Sequence, residues 1–275
     1  MQRKPEPGRS QGGRSATLPA TIEAVIAALD EIVADSIATN SALGYFAALY
    51  RRVTHKVALG IDAGSFQDGE RMAELDVVFA NRYLAAYHAY RRGDAVTAAW
   101  RAAFDAADRP GLAALQHLLL GMNAHINLDL GIAASEVARG RPLALKADFM
   151  TINEILGGEI NDTQNRIARF VRHLRLVDRL LGSVDEQLSM FSIGYARDKA
   201  WTQTLELCAG EPGDRAASIR QRDEAVSAFA QRLIRPGSWL VRLCVLLLRQ
   251  FERGTTAEKV RPVSYTHLRA HETAS

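Results

Sequence analysis

The chain has 275 residues, of which 48% are apolar and 24% charged, with a formal net charge of +3. This composition suits a globular protein with its own core and is far from the disordered and membrane classes. Arg3, Lys4, Arg9 and Arg14 against Glu6 account for the whole charge excess. The remainder is close to neutral, so nucleic acid is not an expected partner. Cys208 and Cys244 lie far apart and outside any CxxC pattern, which fits a reducing cytoplasm and offers neither a disulfide frame nor a zinc knuckle.

Residues 1–17 are rich in Pro, Gly and Arg and lack the apolar run of a signal peptide, so they read as a disordered basic tail. Helical patterns follow from residue 18. ATIEAVIAALDEIVADSIA, SALGYFAALYRRVTHKVAL, GERMAELDVVFANRYLAAYHAYRR and DAVTAAWRAAFDAADR are Ala-rich and free of Pro, the composition of good helix formers. In the third, Met72, Leu75, Phe79, Tyr83, Ala86 and Tyr90 recur at intervals of three and four and mark a core stripe. Breaks are expected at Gly60 to Gly69, with Asp68 as a cap, and at Arg92-Gly93-Asp94, with Asp94 as a cap. Two more fall at Arg109-Pro110-Gly111 and Gly140-Arg141-Pro142.

The run QHLLLGMNAHINLDLG belongs to a stretch without formal charge from Leu112 to Leu128, which predicts a helix inside the bundle. Leu112, Leu115, Leu119, Met122, Ile126 and Leu130 form its apolar stripe. Gln116, Asn123 and Asn127 lie on one flank, and His117, Gly121, His125 and Asp129 follow at i, i+4 around the other. Buried amides and imidazoles cost on the order of 1–3 kcal/mol each when unpaired, so these groups require partners. Three readings stay open: a structural hydrogen-bond network, a metal or acid–base site, and a metal-free ligand pocket.

For catalysis the candidates are His125 and His117, the latter as a general base. A divalent ion would use His125 and Asp129, with Asp76, Asp148 and His55 as the ranked further donors, since such a site normally takes three or four ligands. Gln116, Asn123, Asn127 and Asn81 are candidate ligand-binding residues. Gly131 suits a helix end, and Asp148 a helix start. No GxSxG elbow, phosphate loop, GxGxxG or HExxH occurs.

Further along, a helix opening at Asp148 is expected to bend at Gly157-Gly158, and two more helical patterns follow it. WLVRLCVLLLRQFERG places Leu240, Leu243, Cys244, Leu247 and Phe251 on one face, with Arg242, Arg249 and Arg253 away from its centre. This run is too short and too interrupted by arginine to span a bilayer, so no membrane partner is expected. After Pro262 the pattern changes: Val263 to Thr273, VSYTHLRAHET, resembles one reading frame of a common transposase-type sequencing adapter, and residues 263–275 are set apart as a probable artefact.

Together YFAALYRRVT, DGERMAELDVVFANRYL, QHLLLGMNAHINLDLGIA, DFMTINEIL and FSIGYARDKAW resemble the bacterial domain-of-unknown-function family 5995, over roughly Asn40 to Arg253 and most specifically at NAHINLDL. The resemblance carries no catalytic roles with it. A weaker likeness is to the helical zinc-dependent phospholipase C and P1 nuclease superfamily, whose central helix His117 and Asn123 echo. Gly121 stands where that pattern has a metal-binding Asp, and Asn127 where it has a second His.

The expectation is one all-α domain, residues 18–262, of about nine helices around a buried central helix. Functionally it reads as a metal-assisted hydrolase, or else as a non-catalytic helical module that binds a ligand or partner and whose polar cluster is structural.

Overall fold

Thr21 stands in extended backbone and its hydroxyl accepts from the N–H of Ala24 at 3.2 Å, which satisfies one orphan donor and starts the first helix. The computed structural model describes residues 17–152, 193–237, 239, 242, 243, 245, 246, 249, 252 and 254–265. In chain order the helices are α1 (Ile22–Ala38), α2 (Gly44–Asp62), α3 (Gly69–Arg92), α4 (Ala98–Asp105), α5 (Ala114–Ala124), α6 (Leu130–Ala138), α7 (142–152), α8 (Ile193–Ala209), α9 (Pro212–Ile234) and α10 (Thr256–Tyr265). A π-helical turn, His125–Asp129, joins α5 to α6. Trp239, Arg242, Leu243, Val245, Leu246 and Arg249 are also helical, and no strand occurs among the described residues. The chain is all-α.

Residues Ala114–Ala138 therefore run as one rod, and no residue from Leu112 to Ser135 is exposed. Helices α2, α3 and α4 pack against it from the preceding part of the chain, α8 and α9 from the following part. Phe46, Tyr83, Trp100, Leu128 and Ile132 share the larger core with α1, while Met72, Leu75, Leu130, Phe149 and Trp201 form a second. A third, smaller core joins Ala102, Ala106 and Leu120 to Ala230 and Ile234. Each buried large side chain contributes about 1.5–3 kcal/mol relative to exposure, and the rod contributes to all three cores. Gly121 is required in the rod because a Cβ there would overlap the Phe46 ring, and at Gly131 a Cβ would lie 2.5 Å from Gln203 Oε1.

Several local expectations need revision. Asp68 does cap α3, accepting from Arg71 N at 2.9 Å. Asp94 does not cap α4. It is held by Arg92 Nε at 2.8 Å, three residues intervene before Ala98, and Asp223 of α9 instead accepts from the N–H groups of Ala98 and Ala99 at 2.7 and 2.8 Å. Gly131 ends nothing: the rod continues to Ala138, where Arg139 and Gly140 take positive φ of 47° and 76°. Asp148 lies inside α7 and serves the start of α3. Helix α10 extends three residues into the adapter-like segment, to Tyr265. The expected bend at Gly157-Gly158 lies outside the described residues, as do Leu240, Cys244, Leu247, Phe251 and Arg253 of the expected late helical face.

Candidate functional site

The centre of the rod departs from α geometry. Leu130 N–H bonds His125 O, an i to i+5 closure that accommodates one residue more than an α turn and re-aims the side chains around it, as π-turns at functional sites often do. His125 thereby enters an aromatic enclosure. Its ring stacks on Phe79 at 3.5 Å between centroids and meets Tyr50 edge-on at 4.4 Å and Phe46 at 5.5 Å. The residue is 2% exposed, and neither ring nitrogen has a hydrogen-bond partner. Burial holds the imidazole pKa below its ordinary value, against the opposing pull of Asp129, so the ring is neutral at neutral pH.

Asp129 is equally buried but fully engaged. Arg82 Nε donates to one carboxylate oxygen at 2.9 Å and Trp100 Nε1 to the other at 2.8 Å. His125 Nδ1 stands 3.7 Å from that second oxygen, beyond hydrogen-bond length but close enough for electrostatic orientation. Arg82 and Trp100 are the partners that pattern reading missed. The only signal for them was Asp129 itself, a charge directly after the uncharged run, which demands a cation or strong donor.

More orphaned polar atoms accompany His125. Asp76 Oδ2 is buried without a hydrogen-bond partner, and the buried Tyr50 and Thr54 hydroxyls have none beyond each other. Burial pushes the Asp76 carboxyl up to about 7 and the Tyr50 phenol well above its usual value, with the Asp76 charge adding to the latter. Asp76 and the stacking Phe79 lie one turn apart on α3, while Tyr50 and Thr54 lie one turn apart on α2.

The other flank of the rod is satisfied by protein. Gln116 accepts from Ala113 N at 3.0 Å and donates to Leu233 O at 2.7 Å. Asn123 donates to Val226 O at 2.9 Å and accepts from Asn127 Nδ2 at 2.9 Å, while Arg222 Nε donates to Asn127 O at 2.8 Å. These contacts fasten α9 along the rod. Asn81 stands apart and donates to Pro19 O at 2.8 Å.

The ranked metal donors do not converge. Asp148 accepts from Gln67 N, Asp68 N and Arg71 Nη2 at 2.7, 3.1 and 3.1 Å, and His55 is exposed on α2. Among the described residues no three of His, Cys, Asp and Glu gather as a metal site would require. His117 stacks on Tyr45 at 5.7 Å, and burial lowers its pKa to about 4. It lines a narrow cavity with Leu43, Phe46, Trp100 and Phe104.

A profile of the family described as "Family of unknown function (DUF5995)" matches residues 22–236. The chain belongs to this family. In this DUF5995 chain the match takes in the whole rod, the His125 enclosure and the α9 seam. No curated protein and no solved structure matches the chain.

Proposed function

We propose that the chain binds a small polar molecule beside His125 without a metal, and that His125, oriented by Asp129, is its acid–base group. The observation that supports this reading is the buried imidazole whose Nε2 has no partner, while Nδ1 faces Asp129 at 3.7 Å. A buried polar atom left unpaired costs about 1–3 kcal/mol, and Asp76 Oδ2 adds to that cost. A guest that both donates and accepts hydrogen bonds would recover it. A neutral imidazole can take a proton from water or from a hydroxyl, and the Asp129 carboxylate, held by Arg82 and Trp100, would stabilise the imidazolium formed. Proton transfer in a hydrolytic step is the chemistry this pair suits best. A metal-assisted route has less support, because both Asp129 oxygens already accept strong donors.

The polar flank of Gln116, Asn123 and Asn127 supports a structural role, since the Gln116 and Asn123 side chains are spent on α9 and that of Asn127 on Asn123. The two roles separate in His125→Phe, which keeps a ring on Phe79 and removes both ring nitrogens. Chemical denaturation should find the variant at least as stable as the parent, by up to about 1–2 kcal/mol, as expected when a functional group is kept at the expense of stability. A loss above about 2 kcal/mol would make His125 a structural pin and remove the site.

A further inference from the structure

A guest at His125 needs a way in, because the imidazole is 2% exposed. The cavity beside His117 leads toward it. Leu43, Ala107 and His117 are half-buried and form its outer side, while Phe46, Tyr83 and Trp100 are buried and form its inner side. These three inner rings are also neighbours of His125, at 5.5, 6.3 and 6.1 Å between centroids. One layer of rings therefore stands between the cavity and the imidazole. The cavity leaves about 20 Å³ for the centre of a water-sized molecule, more than the roughly 10–15 Å³ that one water needs. No Asp, Glu, Lys or Arg lines it, and burial keeps His117 neutral by lowering its pKa to about 4. A charged guest would lose its hydration there without meeting a counter-charge.

We infer that this cavity is the entrance to the His125 enclosure, that Phe46 is its gate, and that the guest it admits is small and uncharged. The inference rests on the reading of His125 as a binding site and names the class of molecule that reading leaves open. Of the three inner rings, Phe46 is the one suited to move. Trp100 is tied to Asp129 by its indole N–H at 2.8 Å, and Tyr83 is wedged between Trp100 at 5.1 Å and Tyr87 at 6.2 Å. Phe46 has no polar atom to anchor it, stands nearest to His125, and rests over Gly121 where a side chain would otherwise lie. Turning that one ring aside joins the cavity to the enclosure, a gating motion of the kind that shelters reacting groups from bulk water. An alcohol or a primary amide fits the class, since each donates and accepts hydrogen bonds without carrying charge.

Iodoacetamide and iodoacetate test this on the full chain, because they share size and reacting group and only the second is charged. Each alkylates a neutral imidazole nitrogen, and peptide mass spectrometry separates His125 from His55, which is exposed on α2 and serves as the reference. Relative to His55, iodoacetamide should modify His125 at least tenfold faster than iodoacetate does. Phe46→Leu should raise the iodoacetamide rate at His125 at least threefold. Leu43→Trp and Ala107→Leu, which narrow the outer side, should each lower it by as much, and melting temperatures identify which variants are folded. Equal relative rates for the two reagents, no modification of His125 in the parent, or a rate indifferent to Phe46→Leu or to both narrowing variants would overturn the inference. Denaturation of His125→Phe does not depend on these rates, so failure of the entrance and failure of the acid–base reading are told apart.

Discussion

At the scale of single residues, the sharpest contrast is between Asp129, whose oxygens both accept hydrogen bonds, and His125, whose Nε2 has no partner and whose Nδ1 only faces Asp129. Asp129→Asn keeps an acceptor for one donor but cancels the charge that holds Arg82. Hydrogen bonds to charged groups are worth about 1.5–3 kcal/mol, so denaturant melts should show a loss in that range, with altered fluorescence from Trp100 because its indole N–H bonds this carboxylate. An unchanged melt would mean that the Arg82 pair is only a solvated contact. The sequence made the rod's polar residues visible as a problem of satisfaction, because seventeen uncharged residues demand burial whatever surrounds them. It did not reveal which atoms would be satisfied. Gln116 and Asn123 look no different in the sequence from His125, yet they meet carbonyl oxygens of α9 more than 100 residues away, and only tertiary packing sets that distance.

Among the elements, α4 depends on another helix for its start. Its N-terminal N–H groups are met by Asp223 of α9, and Thr97 makes no side-chain cap. Asp223→Ala should cost about 1–2 kcal/mol, the usual worth of a cap, and hydrogen exchange should accelerate at Ala98 and Ala99 while α1 is unaffected. Gly121→Ala places a methyl group into the Phe46 ring, an overpacking that typically costs 1–3 kcal/mol. It should move His125 as well, because Phe46 touches both sites. The helices themselves were legible from Ala content, Pro spacing and apolar period. Their ends were less so, since an aspartate serves whichever donor it meets: Asp94 pairs with the Arg92 side chain, and Asp148 caps the backbone at the start of α3.

For the whole molecule, the buried titratable groups give stability a pH dependence with opposing parts. His117 and His125 have pKa values below those of an unfolded chain, so the unfolded state binds more protons and stability falls as pH drops below 6.5, for His117 until about 4. Asp76 acts in the other direction. Its folded pKa lies above the unfolded one, so its ionisation removes stability as pH rises from about 4 to about 7. Asp76→Asn should therefore gain on the parent as pH is raised across that window, by roughly 4 kcal/mol if the whole shift is expressed. The gap between the two proteins, followed by urea titration at successive pH values, should level off above pH 8. A gap constant from pH 4 to 8 would mean that Asp76 finds solvent or a counter-charge.

The π-turn also governs where this chain can change length. An ordinary helix that loses one residue turns everything beyond the loss by about 100°, which here would carry Ile132 and Ala133 out of their cores. Between His125 and Asp129 the backbone already holds one residue beyond the α count, so removing Ile126 would bring the rod back to regular geometry with its two ends in register. That deletion should leave a cooperatively melting protein, whereas deleting Ala133 should not. Single-residue gaps among members of the family would then be tolerated at this turn, at the expense of the alignment between His125 and Asp129.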